Sequence, residues 1–286
     1  MLVVSGASGR LGRSVAERLL ARERADPIRL LTRTPEAIED LAARGADVRR
    51  VDLDDPATLG GALDGARRFL LISTDGLDRR VAQHRAAIDA VGRARVPHVI
   101  YTSVVCPEPS NPAAVVETHR RTEDDLRGAD CAWTFLRNNL YAEFQVQEAR
   151  EAAASGRLVH NRGDGRAAFV SREDCAAAAA AVLASDGHEG KAYDITGPES
   201  LSAAELAAIY AELAGRPVEP VAIDDEAFVA MLTGESTDGH LAYGARLVTS
   251  FGRAIREGFF AGVSDAVETL TGKAPRSVRN VLAAGG

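Results

Sequence analysis

Cysteine, methionine and tryptophan are scarce in this chain, with three, two and one among 286 residues. Cys106, Cys131 and Cys175 stand far apart, and no Cys/His cluster has the spacing of a metal site. That excludes a disulfide framework and gives no metal expectation; it points to a reducing compartment, the cytoplasm. A surplus of positive charge is missing too. Lys and Arg number 34 against 41 Asp and Glu, a formal net charge of −7, so neither nucleic acid nor an anionic membrane surface is the expected partner. No apolar run is long enough to span a bilayer, and the opening residues lack the pattern of a signal peptide. Hydrophobic residues make up 46%, ordinary for a globular protein, and the length suits one large domain or two small ones.

What is present is an alternation. Short apolar runs at Leu2–Ser5, Ile28–Thr32, Val48–Val51, Phe69–Ser73, His98–Ser103 and Trp133–Leu136 read as strands. Between them, segments with helical spacing follow Gly9 and cover Pro35–Arg44, Ala57–Leu63, Val81–Ala94 and Val116–Leu126. This rhythm predicts an α/β fold, a Rossmann-type doubly wound parallel sheet with helices on both faces. Several strands are apolar on both sides, as the centre of such a sheet requires. After Asn138 the rhythm changes. Residues 1–138 are expected to form the nucleotide-binding domain, completed by parts of 166–196, and 139–286 mostly a smaller α/β substrate or cap domain. In that second part Ser171 precedes an alanine-rich helix over 174–184, and Asp174 completes a weak capping box. Helices are also expected at Leu201–Leu213, Asp224–Leu232, 245–260 and 263–271, with a loop at 234–239.

The first turn carries the strongest functional signal. Gly6-Ala7-Ser8-Gly9-Arg10-Leu11-Gly12 places glycines at 6, 9 and 12, after a strand and at the start of a helix. A pyrophosphate-binding turn must bend sharply, let backbone approach the ligand and pack its helix close to the strand, and glycine serves each need. The N–H groups opening the helix then face the phosphates. Ser8 is one residue out of step with a G-x-S-x-G nucleophile elbow, so that reading is rejected. At the end of the second strand an acidic residue would select NAD through the ribose hydroxyls. Here the sequence is Leu31-Thr32-Arg33-Thr34, and Arg33 can meet a 2′-phosphate, so NADP(H) is preferred, with NAD(H) possible. Asp52, beside Leu53, can accept from an adenine amine or cap a turn. Leu71, Ile72 and Ser73 end the fourth strand where backbone would line the inner ribose. Thr102 and Ser103 end the fifth, facing the nicotinamide or serving as plain strand-end hydroxyls.

In order, these residues resemble the NmrA-like atypical short-chain dehydrogenase/reductase family, and within it the type 2 NAD(P)H:quinone oxidoreductases. The likeness rests on Ser5 to Gly12, Thr32-Arg33-Thr34-Pro35, Leu71-Ile72-Ser73, Gln83-His84-Arg85, Tyr101-Thr102-Ser103, Glu117-Thr118-His119, Leu136 to Tyr141, Gly163 to Arg166 and Arg172-Glu173-Asp174. It covers nearly the whole chain and thins after Gly197. It implies NADPH binding and reduction of quinones or related aromatic ketones by hydride transfer. Some relatives are non-catalytic redox sensors, and others are tailoring enzymes, reductases or oxygenases, of aromatic polyketides.

One departure bears on the chemistry. Short-chain dehydrogenases usually carry Tyr-x-x-x-Lys, in which Lys lowers the Tyr pKa for proton donation. Here His119-Arg120-Arg121-Thr122-Glu123 stands at that element, without either residue. Ordinary ketone reduction is therefore not expected. A quinone is more electrophilic and becomes aromatic on reduction, so positioning supplies much of the catalysis. His119 is the candidate proton donor, or else a helix-surface His. Tyr141, near Phe144, is a candidate stacking platform, or else core. Asn138 and Asn139 orient the cofactor amide or the substrate, or cap a helix. The missing pair also supports the rival class, an NADP(H)-sensing protein without turnover. A homodimer is a mild expectation.

Overall fold

The computed structural model describes residues 1–23, 26–234 and 236–285. The first strand, β1 (Leu2–Val4), is wholly buried and feeds α1 (Arg10–Leu20) through the glycine turn. Leu11, Val15, Ala16 and Leu19 bury one face of α1, the stripe expected from helical spacing. There follow β2 (Ile28–Thr32), a 3-10 turn at Pro35–Ile38, α2 (Glu39–Ala43), β3 (Asp47–Arg50) and a second 3-10 turn at Pro56–Leu59. The chain continues through β4 (Arg68–Leu71), α3 (Leu77–Ala94), β5 (His98–Val104), α4 (Val116–Arg127) and β6 (Ala132–Asn138). The helix expected at 35–44 is thus split, and that at 57–63 is only a 3-10 turn, each opened by a proline at its first position.

Every pairing in the main sheet is parallel, and its order is β3-β2-β1-β4-β5-β6-β9. The order reverses between β1 and β4, the switch point where such sheets bind ligands beyond their carboxyl ends. Alternate residues of each strand face opposite cores. Val4, Leu30, Leu70, Ile100 and Leu136 pack with α1, α2 and the helix α6 (Arg172–Ala184). Val3, Leu31, Phe69, Leu71, Val99, Tyr101 and Phe135 pack with α3 and α4. Burial on both faces explains the near-continuous apolar runs.

The seventh strand, β9 (Lys191–Ile195), was not expected as a strand. It is an edge strand, largely exposed except at Ile195, and so lacks the apolar run that announces a central one. Before it, α6 lies against α1. Its alanines 176, 178, 179 and 180 are buried, and only a methyl side chain lets the two helices approach so closely. Ser171 caps α6 by accepting from Asp174 N (3.0 Å) and donating to Asp174 Oδ2 (2.7 Å).

The remaining elements form a second core. They are α5 (Phe144–Ser155), β7 (Arg157–His160), β8 (Arg166–Ala167), β10 (Leu201–Ser202), α7 (Ala203–Ala214), β11 (Glu219–Ala222), α8 (Asp225–Thr233), α9 (Gly239–Arg256), α10 (Ala266–Thr271) and α11 (Val278–Ala283). Two short ladders, β10–β8 and β11–β7, tie them together. Tyr210, Phe169, Phe260 and Leu206 fill this core. Of these, α10 packs instead on α6 and the main sheet. The helix α11 was not foreseen, and α9 starts earlier than expected, inside the anticipated loop at 234–239. Glu235 of that loop lies outside the described residues. Among the described residues no helix is long and apolar enough to cross a membrane.

Candidate nucleotide site and its inner pocket

The glycine turn is held by its neighbours. Ser5 Oγ donates to Leu70 O (3.1 Å) and accepts from Ile72 N (2.9 Å), pinning β1 to the end of β4. Ala7 N donates to Leu31 O (3.1 Å), and Gly9 N to Gly6 O (2.9 Å). Gly6 sits at φ +62°, in the left-handed region that favours glycine. A Cβ on Gly12 would lie 2.3 Å from Gly6 O, so the helix rests directly on the turn. Gly9, the N-cap of α1, brings no side-chain cap, and the first carbonyl-bonded N–H after it is that of Arg13, to Gly9 O. The N–H groups of Arg10, Leu11 and Gly12 are therefore left for a ligand, and an anion is what they suit.

At the outer end Thr32 Oγ1 donates to Ser8 Oγ (2.7 Å), Thr34 Oγ1 donates to Ser8 Oγ (3.1 Å), and Thr34 N donates to Thr32 Oγ1 (3.1 Å). Three hydroxyls thus gather beside the exposed Arg33. Glu36, the nearby acid, is paired with Arg50 (3.1 Å). Asp52 Oδ1 accepts from Asp54 N (3.0 Å), the turn-capping role, and Leu53 is half-buried beside it.

At the inner end Ser73 N donates to Thr102 Oγ1 (2.9 Å). Ser103 differs from the expectation that it faces the nicotinamide. Its hydroxyl donates to Glu123 Oε1 (2.7 Å), on the α4 face, because alternation turns residue 103 opposite to Thr102. Glu123 is almost fully buried and is held by Arg127 (2.7 Å) and Arg137 (2.8 Å), an ion network that fastens α4 to β5 and β6. Asn138 ends β6 buried, with Nδ2 3.5 Å from Tyr141 Oη and Oδ1 lacking any partner among the described residues. Asn139 is structural: its Nδ2 donates to Phe260 O (3.0 Å). Tyr141 is no open stacking platform. The Arg172 guanidinium lies 5.0 Å from its ring centre and Phe144 is tilted against it at 5.9 Å, while the exposed ring of the pair is Phe144.

Beneath the ends of β4 and β5 lies a buried polar cluster between α3 and α4. Thr74 N donates to His84 Nε2 (3.2 Å), so His84 carries its hydrogen on Nδ1 and gives it to Thr122 Oγ1 (2.9 Å). Burial, and then the nearby Arg80 charge, push the His84 pKa down to about 3. Tyr101 Oη meets His119 Nδ1 at 2.8 Å. Burial pushes the phenol up and the imidazole well down, the latter aided by Arg80, so both are neutral. With the phenol as donor, His119 keeps its hydrogen on Nε2. Arg80 itself was not anticipated. Its signal was in the sequence: residues 80, 83, 84, 87, 90 and 91 form the buried stripe of α3, and a charge in such a stripe is out of place.

Two open clefts lie elsewhere, against α8 and α9. One, of about 670 Å³, is lined by Gly163, Asp224, Glu226 and Arg256, and one of about 440 Å³ by Pro112, Val229 and Arg246. None of the nucleotide-site residues lines them. The sheet end is the stronger site because an uncapped helix start, free strand ends and buried donors converge there.

Comparison with known proteins bears on that geometry. A family described as NAD(P)H-binding matches residues 6–186, from the first glycine through α6. The chain belongs to this NAD(P)H-binding family. It is also 36% identical over 232 residues to quinone oxidoreductase 2 of Escherichia coli, covering 81% of each chain. It is 29% identical over 277 residues to the NAD(P)H azoreductase of Xenophilus azovorans, 97% of this chain and 95% of that one. The structure of the Escherichia coli NADPH-dependent quinone oxidoreductase complexed with NADPH superposes with a TM-score of 0.94 at 31% identity, over 99% of both chains. That of Citrobacter sp. triphenylmethane reductase complexed with NADP(H) gives 0.91 at 30% identity, over 100% of this chain and 99% of that one. This member of the NAD(P)H-binding family is thus an oxidoreductase with the Rossmann-like fold, and its own residues fit the cofactor. The uncapped α1 start suits a pyrophosphate, the hydroxyls and Arg33 suit a 2′-phosphate, and the orphaned Asn138 Oδ1 suits a carboxamide donor.

Proposed function

We propose that this protein transfers hydride from NADPH to quinones or related flat aromatic ketones. The observation that carries the reading is the pairing of a complete cofactor cradle with a neutral His119–Tyr101 donor pair at the element where Tyr-x-x-x-Lys is missing. When bound, the cofactor supplies the hydride. The chain does the rest. Glycines 6, 9 and 12 with the N–H groups of residues 10–12 hold the pyrophosphate, and Ala7 and Ser8 carry the turn between them. Arg33 with Ser8, Thr32 and Thr34 holds the 2′-phosphate. Asp52 and Leu53 border the adenine, Leu71, Ile72 and Ser73 the inner ribose, and Thr102 and Asn138 the nicotinamide. His119 Nε2 donates a proton to the reduced oxygen, and Tyr101 fixes its tautomer. In this reading residues 1–138, with α6 and β9, bind the cofactor, and the remainder covers the substrate. The three free thiols suit a reducing compartment such as the cytoplasm.

Mixing the protein with NADPH and a panel of quinones, and following the absorbance of the reduced cofactor, tests this directly. Steady oxidation above background is expected. Tight NADPH binding with no turnover on any quinone would sink the reading and favour a sensor. Arg33→Ala is expected to raise the KM for NADPH about tenfold and leave that for NADH unchanged, the size of one lost charge-assisted contact. Equal effects on the two cofactors would remove Arg33 from the phosphate site.

A further inference from the structure

Arg80 is 6% exposed and makes no ion pair among the described residues, its acid neighbour Asp75 acting only from a distance. Its Nε donates to Thr74 O (2.7 Å) and its Nη1 to Thr118 Oγ1 (3.0 Å), both neutral oxygens. Its Nη2 makes no hydrogen bond among the described residues. A charge without an ion pair is expensive to bury this far, and an apolar side chain of similar size would pack there at less cost. The cation also lowers the pKa of both His84 and His119, so its field reaches the donor pair. Burial pushes the Arg80 pKa down, opposed by Tyr101, the exposed Asp75 and Tyr243 of α9 nearby. The third arm of the guanidinium thus carries no hydrogen bond among the described residues and, unlike Thr74 Oγ1 and Gln83 Oε1 beside it, is not sealed from solvent, so it is free to meet a ligand.

We propose that Arg80 binds, through Nη2, the substrate oxygen that becomes negative during reduction. This rests on the reading of the protein as a reductase of quinone-like acceptors and names its anion-holding residue. In that reaction one carbonyl oxygen of the quinone gains a hydride, and the ring electrons move to the opposite oxygen, which becomes an anion. One proton from His119 Nε2, replaced from solvent, neutralises that anion, and the nicotinamide is oxidised by the same two electrons. The substrate leaves as the hydroquinone. Arg80 supplies from α3 the positive charge that Tyr-x-x-x-Lys enzymes carry on the helix after β5. A group that meets charge only as it develops acts on kcat more than on KM.

Two measurements on the full chain test this. In the first, Arg80→Met and Arg80→Lys are compared with the parent for turnover of para-benzoquinone. Arg80→Met is expected to lose about a hundredfold in kcat with little change in KM, as for removal of one oxyanion donor. Arg80→Lys is expected to recover part of that loss, which a merely structural role would not allow, and NADPH affinity by fluorescence titration should be unchanged in both. The second measurement needs no turnover. Benzoate and its neutral analogue benzamide are titrated onto the NADP+ complex. Arg80→Met should weaken benzoate about tenfold and leave benzamide alone. Equal benzoate affinity in parent and Arg80→Met overturns the inference, as does unchanged kcat. A parent that binds benzoate through Arg80 yet turns over no quinone overturns the quinone reading alone.

Discussion

Replacing Gly12 by Ala is expected to weaken NADPH binding by roughly a hundredfold, and to lower the unfolding temperature as well. The added methyl would lie 2.3 Å from Gly6 O, 2.8 Å from Gly6 C and 2.9 Å from Ala7 Cα. All three are backbone atoms of the turn, and none can rotate away. Either α1 retreats from β1 or the turn opens, and both move the N–H groups that meet the pyrophosphate. Overpacking of this kind costs about 1–3 kcal/mol, and each 1.4 kcal/mol is about tenfold in affinity. Gly9→Ala is the internal control. Its methyl would meet only Gly6 O, at 3.2 Å, a contact relieved by a small shift. Calorimetric titration with NADPH, beside thermal unfolding with and without it, separates the two effects. A Gly12→Ala protein that binds NADPH within about twofold of the parent, the scale of an ordinary surface substitution, would show that the turn does not hold the cofactor.

The second large effect belongs to His119. Changing it to Phe keeps a flat ring in the buried slot but removes both nitrogens. Turnover of a quinone is expected to fall about a hundredfold, the lower end for a lost acid–base group, because a quinone needs less help than a ketone. NADPH affinity should hold. Stability should drop by about 1–3 kcal/mol, since Tyr101 Oη loses its buried acceptor. Tyr101→Phe should be milder in rate, because it frees the tautomer without removing the donor. The pH profile gives an independent check. His119 has its pKa well below 6.5 through burial and the Arg80 charge, so it stays neutral as pH rises through the neutral range. In the proposed mechanism the neutral Nε2–H is the donor, so kcat should not decline as pH passes upward through about 6.5. A decline there in the parent, absent from His119→Phe, would mean that the imidazolium donates, and would overturn the neutral-donor assignment.

The glycine spacing and the strand–turn–helix context were sufficient for the NAD(P)H-binding family, because a phosphate-binding helix start is written in backbone groups consecutive in the chain. The same holds for the main sheet: buried strands must be apolar on both faces, and that pattern is local. The edge strand β9 escaped notice for the opposite reason, since exposure leaves it no such pattern. Ser103 and Tyr141 show where strand-end reasoning falls short. Which face a residue takes, and whether a neighbour such as Glu123 or Arg172 already occupies it, depends on elements distant in sequence.

By itself, then, the sequence determined the Rossmann-type sheet, the glycine turn between β1 and α1 and the NAD(P)H-binding family, each written in short-range spacing. Only the tertiary structure shows which polar groups gather at the element where Tyr-x-x-x-Lys is missing. Tyr101 comes from β5, His119 from α4 and Arg80 from α3, and no spacing along the chain links them. They meet because parallel strands with crossover helices bring those three elements to one end of the sheet. There, burial holds the phenol and imidazole neutral, and the guanidinium makes no ion pair among the described residues.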